Sequence, residues 1–560
     1  MKTHLFSIAM LFISTALCAQ KNTQATEAVI TYGSRSNGKE TGGEKKLFIK
    51  GNQARISGQE RQAKQEQFLQ FSEAATYQVL NSNENLYTLK KPFSEYATAE
   101  LITGIDTIMG ISCRKAKVFI RSNTIEIWYT NDLKIKGTPD LTIAPGLGLI
   151  LKTIRNGNTE TYAKKIEYRK VKAEELAWPK QWGNLLDEAA YQRQMIESRY
   201  QTINIFHKEK ISFGNKIENP AADQANATYH FSGGTVILKK VRLPAVKAGQ
   251  SVFAELIQNS NGDAYDRTGS VFMIPVDKSV SFLDALQNGL QTLPVYNASN
   301  GKKYQGVTAT DNYLPPLELM RFFTSFGVKH FNEQAKIKGY NWADSVIYKQ
   351  DITLLAPKLQ GEVWIGVFIG NYDKGGHTVS LNLNYYPGYE GEKEKEKKSY
   401  IMPVFNTTNL MEMAGQEYGT MFEKDSLTVT IDVPQGLKNL RLRYLTTGHG
   451  GWGKGDEFVP KLNELFVDGK RVYHFIPWRE DCATYRFSNP SSGNFGNGLS
   501  SSDLSRSNWC PGTLTLPVEI PLENLSPGKH TLQVAIPLGK PEGNSFSSWN
   551  VSGVLIADQE

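Results

Sequence analysis

The sequence has few cysteines and, beyond its N-terminus, no long run of apolar residues. Its 560 residues include 4 cysteines, and no later segment approaches the roughly 20 apolar residues that a membrane-spanning helix needs. The net charge of +7 comes from 63 Lys and Arg against 56 Asp and Glu, and these charges are spread along the chain. The composition therefore excludes a membrane-spanning protein, and the dispersed charge argues against a nucleic-acid partner.

Common catalytic and metal-binding signatures are also missing. The chain has no G-x-S-x-G, no H-E-x-x-H and no C-x-x-C motif. Its 8 histidines are dispersed, with no pair at the spacing of metal ligands. We therefore predict neither a metal site nor a cofactor.

The N-terminus has the pattern of a secretory signal peptide. Lys2 precedes the apolar run Leu5–Ile13, and a small residue, Ala19, stands before Gln20. We expect residues 1–19 to be removed and the protein to be secreted or periplasmic. Cys18 raises the alternative of a surface lipoprotein, but Leu17 stands where such cysteines follow a small residue.

Removal of this segment leaves three cysteines, which predicts one pair and one free thiol. Cys482 and Cys510 lie 28 positions apart, around a loop rich in Ser, Asn and Gly. A disulfide between them would stabilise the fold by about 2–4 kcal/mol. Cys113 lies in an apolar run, and we expect it to be an inert core thiol.

Short alternating segments bounded by turn residues predict an all-β protein with several domains. We expect a β-rich N-terminal accessory domain in residues 20–171, a helical connector in 172–201, a first all-β unit in 202–391, a charged link in 392–400 and a second all-β unit in 401–560. Neighbouring all-β units of this length are typical of β-sandwiches or jelly rolls.

Three turn-rich segments combine acidic, basic and aromatic residues. Asp263–Arg267 precedes an apolar strand, Gly450–Phe458 is rich in Gly and holds Trp452, and Arg506–Gly512 reads Arg-Ser-Asn-Trp-Cys-Pro-Gly. In their order and spacing these segments resemble the peptide:N-glycosidase F family. The resemblance covers about residues 202–560, and the added N-terminal domain resembles the longer, type II branch.

The resemblance implies a fold and an activity. The fold is two eight-stranded antiparallel jelly rolls in tandem, with the active site in the cleft between them. The activity is hydrolysis of the amide between asparagine and the innermost N-acetylglucosamine of an N-glycan, which releases a glycosylamine and leaves aspartate. The implied partners are N-glycosylated peptides and glycoproteins, and we expect a monomer.

Site residues follow from the same motifs. Amide hydrolysis without a metal or a nucleophilic Ser or Cys needs a base, a proton donor and a positive group near the oxyanion. Asp266 would be the principal catalytic carboxylate, and Glu457 would face it from the second unit. Substrate contacts would come from two arginines, three aromatic residues and one further acid: Arg267, Arg506, Tyr265, Trp452, Trp509 and Asp456.

Several of these assignments have structural alternatives. Asp456 could face the cleft instead of Glu457, Arg506 could only brace the disulfide loop, and Trp509 could only pack under it. The family has a third acidic residue in a late strand of the first unit, whereas Ile365–Gly370 holds none here. Asp373 follows closely, and we expect it to take that place.

Two other functions compete with the amidase. A carbohydrate-binding protein on the same scaffold would keep the sugar contacts without hydrolysis, although acids at both 266 and 457 favour an enzyme. A copper monooxygenase would share the tandem architecture, but the clustered His and Met ligands of those enzymes are missing from the sequence.

Overall fold

The computed structural model describes residues 24–57, 65–82, 85–220, 224–247, 249–387, 398–423, 426–450, 454–493, 500–522, 525–541 and 543–559. The signal-peptide prediction and residues 392–397 of the charged link lie outside this description. The chain divides into two compact units, Met1–Tyr200 and Gln201–Glu560. Nearly all of the regular structure is antiparallel β-sheet, which confirms the all-β fold class and the separate β-rich N-terminal domain.

The first unit is built on one twelve-stranded sheet. Its strands in chain order are β1 (Glu27–Ser36), β2 (Lys39–Lys50), β3 (Gln53–Ser57), β4 (Gln65–Gln70), β5 (Ala75–Ser82), β6 (Asn85–Pro92), β7 (Glu100–Ile108), β8 (Ile111–Ile120), β9 (Asn123–Thr130), β10 (Leu149–Arg155), β11 (Thr159–Glu167) and β12 (Asn184–Leu186). Their order across the sheet is β12-β6-β5-β4-β3-β2-β1-β11-β10-β9-β8-β7. All neighbours are antiparallel except β12 and β6.

Residues 172–200 belong to this first unit. Helix α1 (Ala173–Leu176) is followed by β12, which pairs with β6, and by helix α2 (Glu188–Glu197), in which Tyr191 is fully buried. The Asp187 side chain accepts a hydrogen bond from the Ala190 N–H and caps α2. The predicted connector therefore contains two short helices and packs onto the N-terminal sheet.

The second unit begins with a sandwich of two sheets. Its strands are β13 (Gln201–Ile211), β14 (Thr228–Phe231), β15 (Val236–Leu243), β16 (Ser251–Ser260), β17 (Thr268–Ile274), β18 (Val295–Asn297), β19 (Lys303–Gln305), β20 (Leu317–Phe323), β21 (Val346–Asp351), β22 (Gly361–Ile369) and β23 (His377–Tyr386), with helix α3 (Phe282–Asn288) after β17. One sheet has the order β13-β23-β16-β21, and β18 pairs with β19 separately. Strand β16 alternates half-buried and buried residues throughout, as expected for a strand with one face on a core.

A second sandwich follows in the same unit. Its strands are β24 (Lys398–Asn406), β25 (Leu427–Val433), β26 (Leu437–His449), β27 (Asn463–Val467), β28 (Lys470–Phe475), β29 (Leu514–Thr515), β30 (Val518–Pro521), β31 (Gly528–Ala535) and β32 (Ser548–Gln559). Two four-stranded sheets, β24-β32-β26-β30 and β25-β31-β27-β28, enclose one apolar core. Strand β29 instead joins the first sandwich, in the sheet β14-β15-β22-β17-β20-β29. The first sandwich is therefore larger than the eight strands expected, and the jelly-roll connectivity stays a prediction.

A buried ion pair joins the two sandwiches. Arg321 on β20 contacts the Glu318 carboxylate at 2.6 Å, and both side chains are fully buried. The Arg321 guanidinium also donates to the Thr408 hydroxyl at 2.8 Å and to the Asn550 carbonyl, which both belong to the second sandwich. Ser552 of β32 donates to Glu318. The two halves of the site described below are therefore held by charged hydrogen bonds as well as by apolar contacts.

The cysteines behave as the sequence predicts. Cys482 and Cys510 form a disulfide with a Cα–Cα distance of 5.1 Å. Cys113 is free and buried, and burial raises its pKa to about 11, so it stays a thiol at neutral pH. Among the helices of the described residues, none is long and apolar enough to cross a membrane.

Candidate active site

The loop before β17 fixes Asp266 at the edge of the first sandwich. The Asp263 carboxylate accepts a hydrogen bond from the Tyr265 N–H at 3.0 Å, which closes a tight turn. Arg267 is anchored on both sides by Thr324, whose hydroxyl accepts from its N–H and whose N–H donates to its carbonyl. Asp266 stands between these two anchored residues, and 15% of its side chain is exposed.

The disulfide loop of the second sandwich carries Arg506. The guanidinium is buried and donates to the carbonyl oxygens of Ser501 at 2.6 Å and Leu504 at 3.3 Å. Two residues further on, Asn508 has a φ of 68° and donates its side-chain N–H to the Thr446 carbonyl. Asparagine tolerates this left-handed conformation better than most residues, and on either side of it in the chain Arg506 and Trp509 contact each other.

Glycines at the end of β26 let the Glu457 loop approach the sandwich closely. A Cβ at Gly450 would lie 1.9 Å from the Phe546 carbonyl, and this residue has a φ of 83°. A Cβ at Gly448 would lie 2.8 Å from the Asp456 carbonyl. The Glu457 N–H donates to the Gly450 carbonyl, so this close contact sets the position of Glu457.

Arg506 brings the two predicted catalytic carboxylates together. Its Nε lies 3.0 Å from Glu457 Oε1, and its Nη2 lies 3.3 Å from Asp266 Oδ2. Asp266 comes from the first sandwich, and Glu457 and Arg506 come from the second. A single buried guanidinium, 1% exposed, therefore spans both walls of the site.

The electrostatics of this trio favour a proton on one carboxyl group. Burial raises the pKa of Asp266 to about 7; the positive charge of Arg506 opposes this shift and the negative charge of Glu457 adds to it. Burial also raises the pKa of Glu457, again against the charge and hydrogen bond of Arg506. Two buried carboxyl groups that share one cation can thus hold and exchange a proton near neutral pH.

Arg267, next to Asp266 in the chain, has no hydrogen-bond partner at Nη1 among the residues that the structure describes, so this group is available to a ligand. Its Nε and Nη2 donate to the two oxygens of buried Asp263 at 2.8 and 3.2 Å. Against the effect of burial, interactions with His377 and Arg267 lower the pKa of Asp263 to about 2, so this carboxyl group is ionised. The guanidinium also lies over the rings of Tyr265 and Tyr372, with centroid distances of 5.0 and 5.4 Å. Tyr265 is 61% exposed, so its ring is open to a ligand.

Two residues expected to contact substrate are buried instead. Trp509 is 3% exposed, stacks on Phe323 at 4.2 Å and has the Arg506 guanidinium 4.8 Å from its ring centroid. Asp456 is fully buried and accepts from the Trp549 indole at 2.7 Å. Trp509 therefore packs against Arg506, and Asp456 braces the loop, while Glu457 contacts Arg506. For both buried residues the structure favours the packing alternative over a contact with substrate.

The predicted role of Asp373 stays a prediction, and the structure shows what one of its oxygens does. Its Oδ1 accepts from the N–H groups of Gly375 and Gly376 at 2.6 and 3.0 Å, so this oxygen closes a turn. The carboxyl group next to the late strand of the first sandwich is that of Glu412. A Cβ placed on Gly370 would lie 2.6 Å from Glu412 Oε1.

Glu412 is the functional candidate that sequence reasoning missed. Its Oε2 accepts from the Tyr418 hydroxyl at 2.8 Å, whereas its Oε1 is buried without a hydrogen-bond partner among the described residues. Burial raises its pKa to about 7 against the effects of Tyr418 and Arg267. The sequence holds one local sign of this arrangement. Gly370 has no side chain, which leaves space for a carboxyl group from another segment of the chain.

Trp452 lies outside the described residues, so its predicted role stays a prediction. Among the described residues, one set of His, Cys, Asp and Glu side chains is grouped as tightly as metal ligands would be: Asp481, Cys482 and Cys510. The two sulfurs of this set are bonded to each other. These two sulfurs therefore form a disulfide and are not free thiolates. The charged groups of the candidate active site are carboxyl and guanidinium groups.

Comparison with known families covers most of the chain. Residues 202–385 match "Peptide-N-glycosidase F, N terminal" and residues 417–556 match "Peptide-N-glycosidase F, C terminal". Residues 30–193 match "N-glycanase peptide, N-terminal domain". A comparison with curated proteins found no match.

Solved structures give the same relationship. Two crystal forms of a protein named PNGF-II, in space groups C2 and P21, are each 44% identical to this chain with a TM-score of 0.82, and the match covers 96% of this chain and 99% or 100% of theirs. PNGase F, a glycosylasparaginase from Flavobacterium meningosepticum, is 16% identical over 64% of this chain and 96% of its own, with a TM-score of 0.42. The chain therefore belongs to the peptide:N-glycosidase F family, as a member of its type II branch.

Proposed function

We propose that this protein is a secreted amidase that removes N-glycans from glycopeptides and glycoproteins. It hydrolyses the amide between the asparagine side chain and the innermost N-acetylglucosamine. Membership of the peptide:N-glycosidase F family supports amidase activity on N-glycans in general, and the site geometry supports the particular reaction. The products are an aspartate in the peptide and a glycosylamine.

Asp266 carries out both proton transfers of this reaction. Ionised Asp266 takes a proton from a water molecule while the water oxygen attacks the amide carbon. The C–N bond then breaks, and the same proton passes to the leaving nitrogen, so that no acid is consumed. A carboxyl group with a pKa near 7 suits both steps, because it accepts and returns a proton with little cost at neutral pH. Glu457 holds the water or the first sugar from the opposite wall.

The guanidinium groups have different tasks. Arg506 uses its hydrogen bonds on protein partners and positions Asp266 and Glu457 relative to each other. Arg267 has no protein partner at Nη1 among the described residues, and this N–H can donate to the carbonyl oxygen as negative charge develops on it. Glu412, with its unpaired Oε1, accepts a hydrogen bond from a hydroxyl or amide group of the sugar.

One observation carries the proposal: Arg506 contacts both Asp266 and Glu457, which belong to different sandwiches. A structural ion pair would need only one of these carboxylates. Here one buried guanidinium contacts two carboxylates, and both carboxylates are partly open to solvent. A polar bond of the substrate can therefore lie between the two walls of the site.

Product analysis tests the proposed reaction. Purified protein is incubated with a glycopeptide in heavy-oxygen water, and both products are examined by mass spectrometry. We expect the asparagine to become an aspartate that carries one heavy oxygen, and the glycan to leave with both core N-acetylglucosamines. A peptide that retains one N-acetylglucosamine would identify an endoglycosidase, and an unchanged glycopeptide that stays bound would identify a glycan-binding protein.

A further inference from the structure

A row of buried polar side chains leads from the core of the first sandwich to Arg267. It consists of Gln258 on β16, His377 on β23 and Asp263 in the loop between β16 and β17, and each of them is at most 1% exposed. Asp263 accepts hydrogen bonds from Nε and Nη2 of Arg267. The proposed reaction uses Arg267 but gives Gln258 and His377 no task.

The turn before β23 places His377 beside Asp263. The Asp263 N–H donates to the Gly376 carbonyl at 3.3 Å, so the two loops run next to each other. Gly376 has a φ of 64°, and a Cβ there would lie 2.1 Å from the Ile211 carbonyl, so this close approach requires glycine. His377 Nε2 then lies 3.5 Å from Asp263 Oδ2, and no other described residue forms a hydrogen bond with Nε2. Asp263 is therefore the acceptor available to this nitrogen.

Gln258 decides which nitrogen of the His377 ring carries the proton. Its amide nitrogen lies 3.0 Å from His377 Nδ1, and an amide nitrogen can only donate, so Nδ1 is the acceptor. The reversed amide would move the ring proton to Nδ1 and leave the Nε2 lone pair facing the Asp263 carboxylate, which is unfavourable. Burial lowers the pKa of His377 against the effect of Asp263, so the ring is neutral and its one N–H is at Nε2.

We propose that His377 is a positioning residue for Arg267 and acts on it through Asp263. The Nε2–H of His377 ties the Asp263 side chain to the sheet β13-β23-β16-β21. Asp263 in turn holds two of the three nitrogens of the Arg267 guanidinium, so the third nitrogen, Nη1, keeps one direction. This inference rests on the proposed function, because it assumes that Nη1 donates to the amide carbonyl oxygen as negative charge develops there.

Two amide variants of His377 differ in reach and test this inference. In His377→Gln the amide nitrogen can take the place of Nε2 and still donate to Asp263, whereas in His377→Asn it ends near the place of Nδ1. We expect His377→Gln to keep kcat within about threefold and His377→Asn to lower it about tenfold or more, because a displacement of about 1 Å near a catalytic group can cost a hundredfold. KM should change little, since the lost interaction belongs to the transition state. His377→Leu has no donor and should behave as His377→Asn does.

The Arg267→Ala background separates positioning from a purely structural role. With the guanidinium removed, His377→Asn should not lower kcat further, because the residue through which His377 acts is gone. Steady-state assays on one glycopeptide compare variants that thermal unfolding shows to be folded at the assay temperature.

Four results would overturn the inference. His377→Asn or His377→Leu could keep the parent kcat, His377→Gln could lose as much as His377→Asn, or His377→Asn could cost the same factor without Arg267. If neither variant that lacks the donor folds, the role of His377 is structural. Failure of the proposed function would appear separately, as an absence of aspartate product from the unmodified protein.

Discussion

Three carboxyl groups of the site, Asp266, Glu412 and Glu457, have raised pKa values because all three are largely buried. An ionised carboxyl group in such a place is costly, and the cost is present in the folded state only. The site residues therefore reduce stability at the pH at which they would act, as is common where an active site stores unfavourable electrostatics.

Asp266→Asn should raise stability at high pH. The pKa of Asp266 rises from 3.8 to about 7 on folding, so the stability that this group contributes is complete below pH 4 and is lost as the pH rises through 7. The variant lacks this loss, and the gain at pH 8 cannot exceed about 4 kcal/mol. Chemical denaturation at pH 4 and pH 8 measures it. A variant that is less stable than the parent protein at pH 8 would show that Asp266 is stabilised as an anion.

Glu412→Gln and Asp373→Asn form a matched pair that identifies the third acid. Glu412→Gln should lower kcat/KM by about ten- to a hundredfold, because a charged hydrogen-bond acceptor is lost. Asp373→Asn should keep activity near the parent level, since an asparagine oxygen can close the same turn. Steady-state assays on one glycopeptide compare the two. Loss of activity in Asp373→Asn alone would reverse the assignment.

Sequence reasoning could single out Asp266, Glu457 and Arg506 because each lies in a short motif that resembles the peptide:N-glycosidase F family. It could not place Glu412, which reaches the site through the fold and belongs to no local pattern. It also could not decide whether Trp509 contacts substrate or packs under the disulfide loop, nor whether Asp456 or Glu457 faces the cleft. Burial of a side chain in a loop depends on contacts distant in sequence, such as Trp509 on Phe323 and Asp456 on Trp549.

At the scale of single elements, the site depends on loops that are fixed from both ends. The disulfide closes the 28-residue separation between Cys482 and Cys510, and carbonyl groups inside this loop hold the Arg506 guanidinium. The same loop reaches the first sandwich, because the Ser491 hydroxyl donates to the Ala264 carbonyl beside the Asp266 loop. A loop of this kind positions catalytic groups without forming regular structure.

Removing the disulfide should therefore reduce activity more than its effect on stability alone explains. A Cys482→Ser, Cys510→Ser double variant should lose about 2–4 kcal/mol of unfolding free energy. At a temperature where the variant is still folded, kcat should also fall, because Arg506 loses its fixed position. Thermal unfolding followed by assays well below Tm separates the two effects. An unchanged kcat in fully folded variant protein would show that the loop holds Arg506 without the disulfide.

At the scale of the whole molecule, β-strand periodicity predicted the all-β class, which the structure confirms. Periodicity did not predict β29, a two-residue strand from the second half of the sequence that pairs with β20 in a sheet of the first sandwich. Nor did it give the Glu318–Arg321 pair, because charged residues in an apolar strand have no partner visible in the sequence. These two features attach one sandwich to the other.

Breaking this buried pair should separate the stabilities of the two sandwiches. Arg321→Met leaves Glu318 buried without its partner, which should cost about 3–5 kcal/mol. Replacing both residues, as Glu318→Leu with Arg321→Met, should restore much of the loss, because no buried charge is left unpaired. Differential scanning calorimetry of the full chain measures both. A single variant as stable as the parent protein would mean that the pair does not hold the two halves together.

The position of the scissile linkage tests the central claim most directly. The measurement is a crystal structure of full-length Asp266→Asn protein with a bound glycopeptide. The amide between asparagine and N-acetylglucosamine should lie within hydrogen-bond distance of residue 266 on one side. On the other side it should contact Glu457, directly or through one water. If the amide contacts one sandwich alone, or lies away from Arg506, the two carboxyl groups do not act on one bond and the account is wrong.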